Sequence, residues 1–234
     1  MPNSNYSRIK EPVKEWPINE RPREILLEKG PEYVSDAGLI AILLRTGIAG
    51  KDVVQFSREL LQQFGGLRGL LNASPEDLSK IKGLGPAKIS QLTAALELAK
   101  RQLKEGLRGK DIIESEQDVL DYLSLSMRDL KKEFFKYIYL NKNNGIIEVQ
   151  DGAGGTVDQS PIYPREVIKK ALDLHAGGLI IVHNHPSGSL KPSRSDIDLT
   201  EKLSTACRSV SLTLLDHIII SPKGYLSLRS QGLI

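Results

Sequence analysis

A chain of 234 residues, 40% hydrophobic and 26% charged, has the balance of a globular protein with room for one large domain or two ordinary ones. It holds no apolar run of about 18 residues, which excludes a membrane-spanning helix, and its single cysteine, Cys207, excludes an intrachain disulfide and a multi-cysteine zinc ribbon. The net charge of +3 is uneven, with 18 Lys and Arg against 13 Asp and Glu in residues 1–110 and 14 against 16 in the rest. A modestly basic first half is compatible with a polyanion partner, and equally with an ordinary solvated surface.

Met1 to Tyr6 lack a charged-then-apolar signal pattern, and Cys207 sits in an apolar helical pattern as a small buried residue would. A cytoplasmic protein is expected. Residues 1–22 mix Pro12, Pro17 and charges without periodicity and read as an extended arm. From 23 to 104 the pattern is helical. Apolar residues recur at helical spacing in Leu39, Ile40, Leu43 and Leu44, then in Val53, Val54, Phe56, Leu60, Leu61 and Phe64. Ser35-Asp36 and Ser74-Pro75-Glu76-Asp77 are helix-start signals, and glycines at 47, 50, 65, 66, 83 and 85 punctuate the segments.

Two helix-turn-helix units lie in this region as a weak repeat, turning at Thr46 to Lys51 and at Lys82 to Lys88. Gly83 and Gly85 permit a tight turn, and Pro86 suits the first helical position. The second unit resembles the helix-hairpin-helix family, whose Gly-Leu-Gly turn presents backbone N–H groups to a DNA phosphate. That resemblance makes Gly83, Gly85 and Lys88 candidate contacts for weak, non-specific DNA binding. A plain helical hairpin using Gly to turn tightly would have the same sequence.

Residues 105–114 are charged and contain glycine, and read as a linker. Beyond it, a helix over about 116–126 leads to a strand in Phe134 to Leu140, rich in aromatic and β-branched residues. Asn143-Asn144-Gly145 turns the chain into Ile146 to Val149, a hairpin. A helix near 164–174 precedes Leu179-Ile180-Ile181-Val182, the signature of a strand buried on both faces. A helix over about 194–209 and strands at 212–220 and 225–228 complete an α/β domain over 115–234.

The buried strand ends in His183-Asn184-His185-Pro186. Residues i and i+2 of a strand share a face, so the two imidazoles converge while Asn184 faces away. Pro186 cannot join a ladder and ends the strand. One loop later Ser193-Arg194-Ser195-Asp196 opens a helix, with Asp196 in its first turn. Alone, Ser193-x-x-Asp196 is ordinary capping and a His-x-His is incidental. Together they make a set that zinc accepts, two neutral imidazoles and one carboxylate with a fourth position for water. Of the other histidines, His175 follows a helix and reads as surface. Asp216 and His217, in an apolar run, read as structural or as orienting the ligands.

Here the chain resembles the bacterial RadC proteins, and within them the JAMM, or MPN-plus, zinc metallopeptidase domain. The family motif, His-x-His-Pro, a short loop, then Ser-x-x-Asp, is matched by His183-Asn184-His185-Pro186 and Ser193 to Asp196. Pro161 to Glu166 and Leu215 to Ile219 also look like RadC. Ser189-Leu190-Lys191 departs from the acidic, Pro-containing stretch more usual there. The resemblance implies a mixed sheet with flanking helices, preceded by the all-α domain. It also implies zinc on His183, His185 and Asp196, a general base at Glu133 and an oxyanion-binding hydroxyl at Ser193. Glu166 is the rival base.

Three functions fit the sequence, in descending order of preference. The first is a zinc hydrolase acting on a peptide or isopeptide of unknown identity. The second is a DNA-processing factor, and the third a non-catalytic binding protein, against which a three-ligand site argues. A zinc nucleobase deaminase is excluded, because it needs a Cys-x-x-Cys pair. Neither the oligomeric state nor the substrate is written in the sequence.

Overall fold

The computed structural model describes residues 12–152 and 163–234. The chain divides into two units, Met1–Leu98 and Ala99–Ile234. No helix among the described residues is long and apolar enough to cross a membrane.

The first unit is helical: α1 (Pro22–Lys29), α2 (Asp36–Leu44), α3 (Val53–Gln63), α4 (Leu67–Leu71), α5 (Pro75–Ser79) and the start of α6 (Pro86–Leu107). The start signals act as caps. Ser35 Oγ accepts from Gly38 N at 3.2 Å, Ser74 Oγ from Asp77 N at 3.1 Å, and Asp52 Oδ1 from Val54 N and Gln55 N at 2.8 and 2.9 Å. Ile40, Leu44, Phe56, Leu60, Leu70, Leu78, Leu84 and Leu92 form the core. Of the expected arm, residues 1–11 lie outside the described residues. Its remainder makes two short 3-10 turns, Val13–Glu15 and Ile18–Glu20, and Val13 and Trp16 pack against Ala37, Ala41 and Val54.

The second unit begins inside α6. The expected linker at 105–114 is not one. Leu107, 1% exposed, belongs to the core of this unit, and burying such a side chain contributes about 1.5–3 kcal/mol. Gly109 N donates to Ile146 O, Ile146 N to Lys110 O, and Ile112 N to Asn144 O, so the segment is stitched to the hairpin that follows. Charge and glycine content masked a segment whose order comes from its backbone.

After α7 (Glu116–Met127) come β1 (Phe135–Leu140), β2 (Ile146–Asp151), α8 (Pro164–Asp173), β3 (Gly178–Asn184), α9 (Arg194–Arg208), β4 (Thr213–Ser221) and β5 (Gly224–Ser227). The sheet order is β2-β1-β3-β4-β5, mixed, with β3 parallel to β4 and the other pairs antiparallel. Ile138, Ile180, Val182 and Ile218 pack with Tyr122 and Leu123 of α7 on one face. Tyr139, Leu179 and Ile181 pack with Val167 of α8 and Leu203 and Cys207 of α9 on the other. With both faces covered, β3 is buried along its whole length, as its unbroken apolar run requires.

Candidate metal centre

β3 delivers two imidazoles to its C-terminal end. His183 is the last but one strand residue, and His185 leaves the strand with its N–H still donating to Ile220 O at 2.8 Å. Their Nε2 atoms approach to 2.8 Å. The loop that follows returns the chain to the first turn of α9, where Ser193 and Asp196 make a reciprocal capping box. Asp196 Oδ1 lies 3.3 Å from His183 Nε2, and Oδ2 3.4 Å from His185 Nε2. Glu133, in the irregular segment before β1, brings Oε1 to 3.7 Å from His183 Nε2. One ligand atom from each of Glu133, His183, His185 and Asp196 falls within 4.8 Å of all the others.

The outer ring nitrogens dictate what the inner ones offer. His185 Nδ1 lies 2.9 Å from Ser189 O, an acceptor only, so Nδ1 carries a proton. The hydroxyl of Thr200 donates its single proton to Asp196 O at 2.6 Å and therefore accepts from His217 Nδ1, also at 2.6 Å. His217 Nε2 is left as a lone pair and accepts from His183 Nδ1 at 2.7 Å. In their neutral forms both site histidines thus turn a bare Nε2 inward, toward a carboxylate.

Burial keeps the inner pair neutral. It pushes His183 down to about 3, aided by His217, and His217 down to about 4. Burial opposes the charge of Asp196, but hydrogen bonding from His185, the electrostatic pull of His183 beside it and two bonds from Ser193 outweigh it and hold the carboxyl below its usual range. His185 is raised, first by its hydrogen bond to Asp196, with burial working against this and Ser189 O supporting it. Glu133 is raised by burial and by the charge of Asp196. A proton on His185 Nε2 and a metal ion are therefore alternative occupants of one electronegative focus. The donor set fits zinc. Zn–N bonds of about 2.0–2.1 Å place tetrahedral ligands about 3.3 Å apart, and the contacts among His183, His185 and Asp196 run from 2.8 to 3.4 Å.

Other sequence-derived candidates fall elsewhere. Ser193 Oγ accepts from Asp196 N at 3.2 Å and donates to Asp196 Oδ2 at 2.7 Å, so it orients that ligand as well as capping α9. Glu166 pairs with Arg165 at 3.1 Å on the exposed side of α8, outside the cluster that could hold a metal ion. His175 is exposed, at φ 51° after α8. Asp216 accepts from Ser227 Oγ and Arg229 N and tethers the last residues. In the first unit Gly83 has φ 97°, and a Cβ there would meet Ile48 Cγ2 at 2.1 Å, whereas Gly85 faces open space. Lys88 Nζ donates to Thr46 O at 2.6 Å and Gly47 O at 3.2 Å, so its charge closes the turn after α2.

Two residues escaped sequence reasoning. Thr200 stands one helical turn after Asp196, a spacing that signals shared facing but not a histidine partner. Asn184, read only as facing away, takes its partners from residues 130–134.

Residues 113–233 match the family described as RadC-like JAB domain, and residues 13–90 the family described as UPF0758 N-terminal. A UPF0758 protein of Acidovorax sp. (strain JS42) is 45% identical over 237 residues, covering 95% of this chain and 100% of its own. Those of Paracidovorax citrulli (strain AAC00-1) and Pseudomonas fluorescens (strain SBW25) are each 46% identical, over 235 and 220 residues, covering 95% and 94% of this chain and 99% and 98% of theirs. With both units matched and the ligand cluster inside the C-terminal match, the chain belongs to the UPF0758 family and carries its RadC-like JAB domain.

Proposed function

We propose that the chain is a zinc-dependent hydrolase of peptide or isopeptide bonds. The observation that carries this reading is the convergence of two inward-facing imidazole lone pairs, one ligand carboxylate and a further carboxylate within 4.8 Å. His183, His185 and Asp196 would hold the ion. When bound, zinc lowers the pKa of a coordinated water to about 7 and polarises a carbonyl.

The remaining chemistry belongs to side chains. Glu133, half-exposed and raised in pKa, accepts a proton from the attacking water. It returns that proton to the leaving amine nitrogen as the C–N bond breaks, and the water oxygen remains in the new carboxylate. An amine leaves poorly without that proton, and a carboxyl with a raised pKa is suited to deliver it. Ser193 supplies a hydroxyl to the developing oxyanion. Asp196 Oδ2 keeps the Ser193 N–H at 2.6 Å when the hydroxyl turns away. A cytoplasmic setting is part of the proposal and suits the buried thiol of Cys207.

The test is a turnover screen of the zinc-loaded chain against α-linked peptides, ε-linked isopeptides and DNA. Cleavage of an amide probe that is lost in His185→Ala supports the reading. Cleavage of DNA alone, or amide cleavage indifferent to His185→Ala, overturns it. Weak DNA binding by the helical unit is a separate proposal, resting on the Gly83 turn.

A further inference from the structure

We propose that Asn184, the middle residue of the His-Asn-His tripeptide, is a positioning residue that holds Glu133 at the metal centre. The inference rests on the reading of Glu133 as the proton acceptor, and it explains how an irregular segment presents that carboxylate.

Residues 131–134 belong to no helix or strand, and Glu133 lies on the surface with 48% of its side chain exposed. Asn184 is fully buried on the opposite face of β3, with Ile180 and Val182. Its Oδ1 accepts from Phe134 N at 2.8 Å, across 50 residues of chain. Its Nδ2 donates to Lys132 O at 3.0 Å and, longer, to Leu130 O at 3.4 Å. Its backbone N–H adds a bond to Phe134 O at 3.3 Å.

The chemistry of these atoms is specific. Lys132 C=O belongs to the peptide plane before the Glu133 Cα, and Phe134 N–H to the plane after it. One carboxamide therefore pins both peptide planes that set the φ and ψ of Glu133. Only a side chain with an acceptor and donors on a single planar group does this. Asp lacks the donor, Leu lacks both, and Gln carries an extra methylene. His183 and His185 hold the ion on one side of the strand end, while Asn184 holds the base-bearing segment on the other. The tripeptide thus sets the distance from metal to base within one rigid element, the arrangement that catalytic geometry needs.

The test uses the full-length chain loaded with cobalt(II). Paramagnetic relaxation of the Glu133 carboxyl carbon reports its distance from the ion as an inverse sixth power. Asn184→Ala is expected to keep one cobalt per chain, to lose at least fivefold of the enhancement at Glu133, and to leave that at the Asp196 carboxyl unchanged. Asn184→Ser, a milder change, is measured alongside and decides the matter if the alanine variant does not fold. Unchanged relaxation at Glu133 overturns the proposal. So does equal loss at Glu133 and Asp196, because the whole site would then have collapsed. On any amide probe that the native chain cleaves, kcat is expected to fall at least tenfold with KM within twofold, and an unchanged kcat overturns the proposal. If the native chain cleaves no probe, the hydrolase reading fails and the relaxation result still decides the role of Asn184.

Discussion

His217 Nε2 lies 2.7 Å from His183 Nδ1, and the polarity of that bond is set from Asp196 by way of Thr200. A buried histidine on β4 thereby dictates which nitrogen of a β3 histidine faces Asp196 and the candidate metal centre. Such partners of a ligand typically contribute 10–100-fold to metal affinity. His217→Phe is expected to weaken zinc binding by about that factor, and Thr200→Val by less, measured by competition with a chromophoric chelator. Unaltered affinity in His217→Phe would show that the outer bond does not organise the ligand.

Ligands and base separate by metal content. Purified chain is expected to hold about one zinc, and His183→Ala, His185→Ala and Asp196→Ala each to lose most of it, by elemental analysis. Glu133→Gln is expected to retain the zinc while abolishing amide cleavage. If Glu166→Gln stops turnover and Glu133→Gln does not, the base has been assigned to the wrong carboxylate.

Acid is expected to destabilise the metal-free chain. His183 and His217 stay neutral in the fold down to about 3 and 4, while unfolded they take protons near 6.5. Their contribution is intact above pH 6.5 and is lost as pH falls toward 4 and 3, at about 1.4 kcal/mol per pH unit for each proton. Asp196, held low, acts in the same direction at more acid pH. His185, raised, acts the other way, stabilising at low pH and losing that as pH rises through its folded pKa. Two protons outweigh one, so urea midpoints are expected to fall between pH 6.5 and 4. With zinc bound the fall is steeper, because the ligands must shed protons to hold the ion. A flat profile would mean that His183 and His217 are not buried neutral.

The glycines of the second hairpin turn are not equivalent. Gly83 combines positive φ with a close approach to Ile48, and Gly83→Ala is expected to cost about 1–3 kcal/mol. Gly85 faces open space, and Gly85→Ala is expected to stay within about 0.5 kcal/mol. Thermal melts of the two variants check this, and equal losses would contradict the Ile48 contact.

DNA binding by the full chain is expected to be weak and indifferent to sequence, with a log–log salt slope of about −2 to −4 in fluorescence anisotropy. Lys88 is already engaged with Thr46 and Gly47. Lys88→Met should therefore lower stability at least as much as it lowers affinity. No binding at low salt would make the hairpins a packing device.

Local pattern alone was enough for the elements and for the candidate cluster of His183, His185 and Asp196. Strand alternation brings His183 and His185 to one face, the box at Ser193 and Asp196 marks the start of a helix, and an unbroken apolar run means a strand covered on both sides. These rest on periodicities that every strand or helix obeys, so they survive without knowledge of neighbours. What only the tertiary structure decided depends on register and on distant backbone. Residues 105–114 look like a linker until their N–H and C=O groups find the β1–β2 hairpin. Asn184 looks idle until residues 130–134 fold across it. His217 is the sharpest case. From Leu214, which faces α8 and α9, a period of two puts His217 on the α7 face, away from His183 and Asp196. The bulge at Leu215 inserts one residue into β4 opposite the Leu179–Ile180 step and reverses the phase, so His217 pairs in register with Ile181 and turns toward His183. A bulge is a property of two strands in register, and a single strand's sequence does not contain its partner.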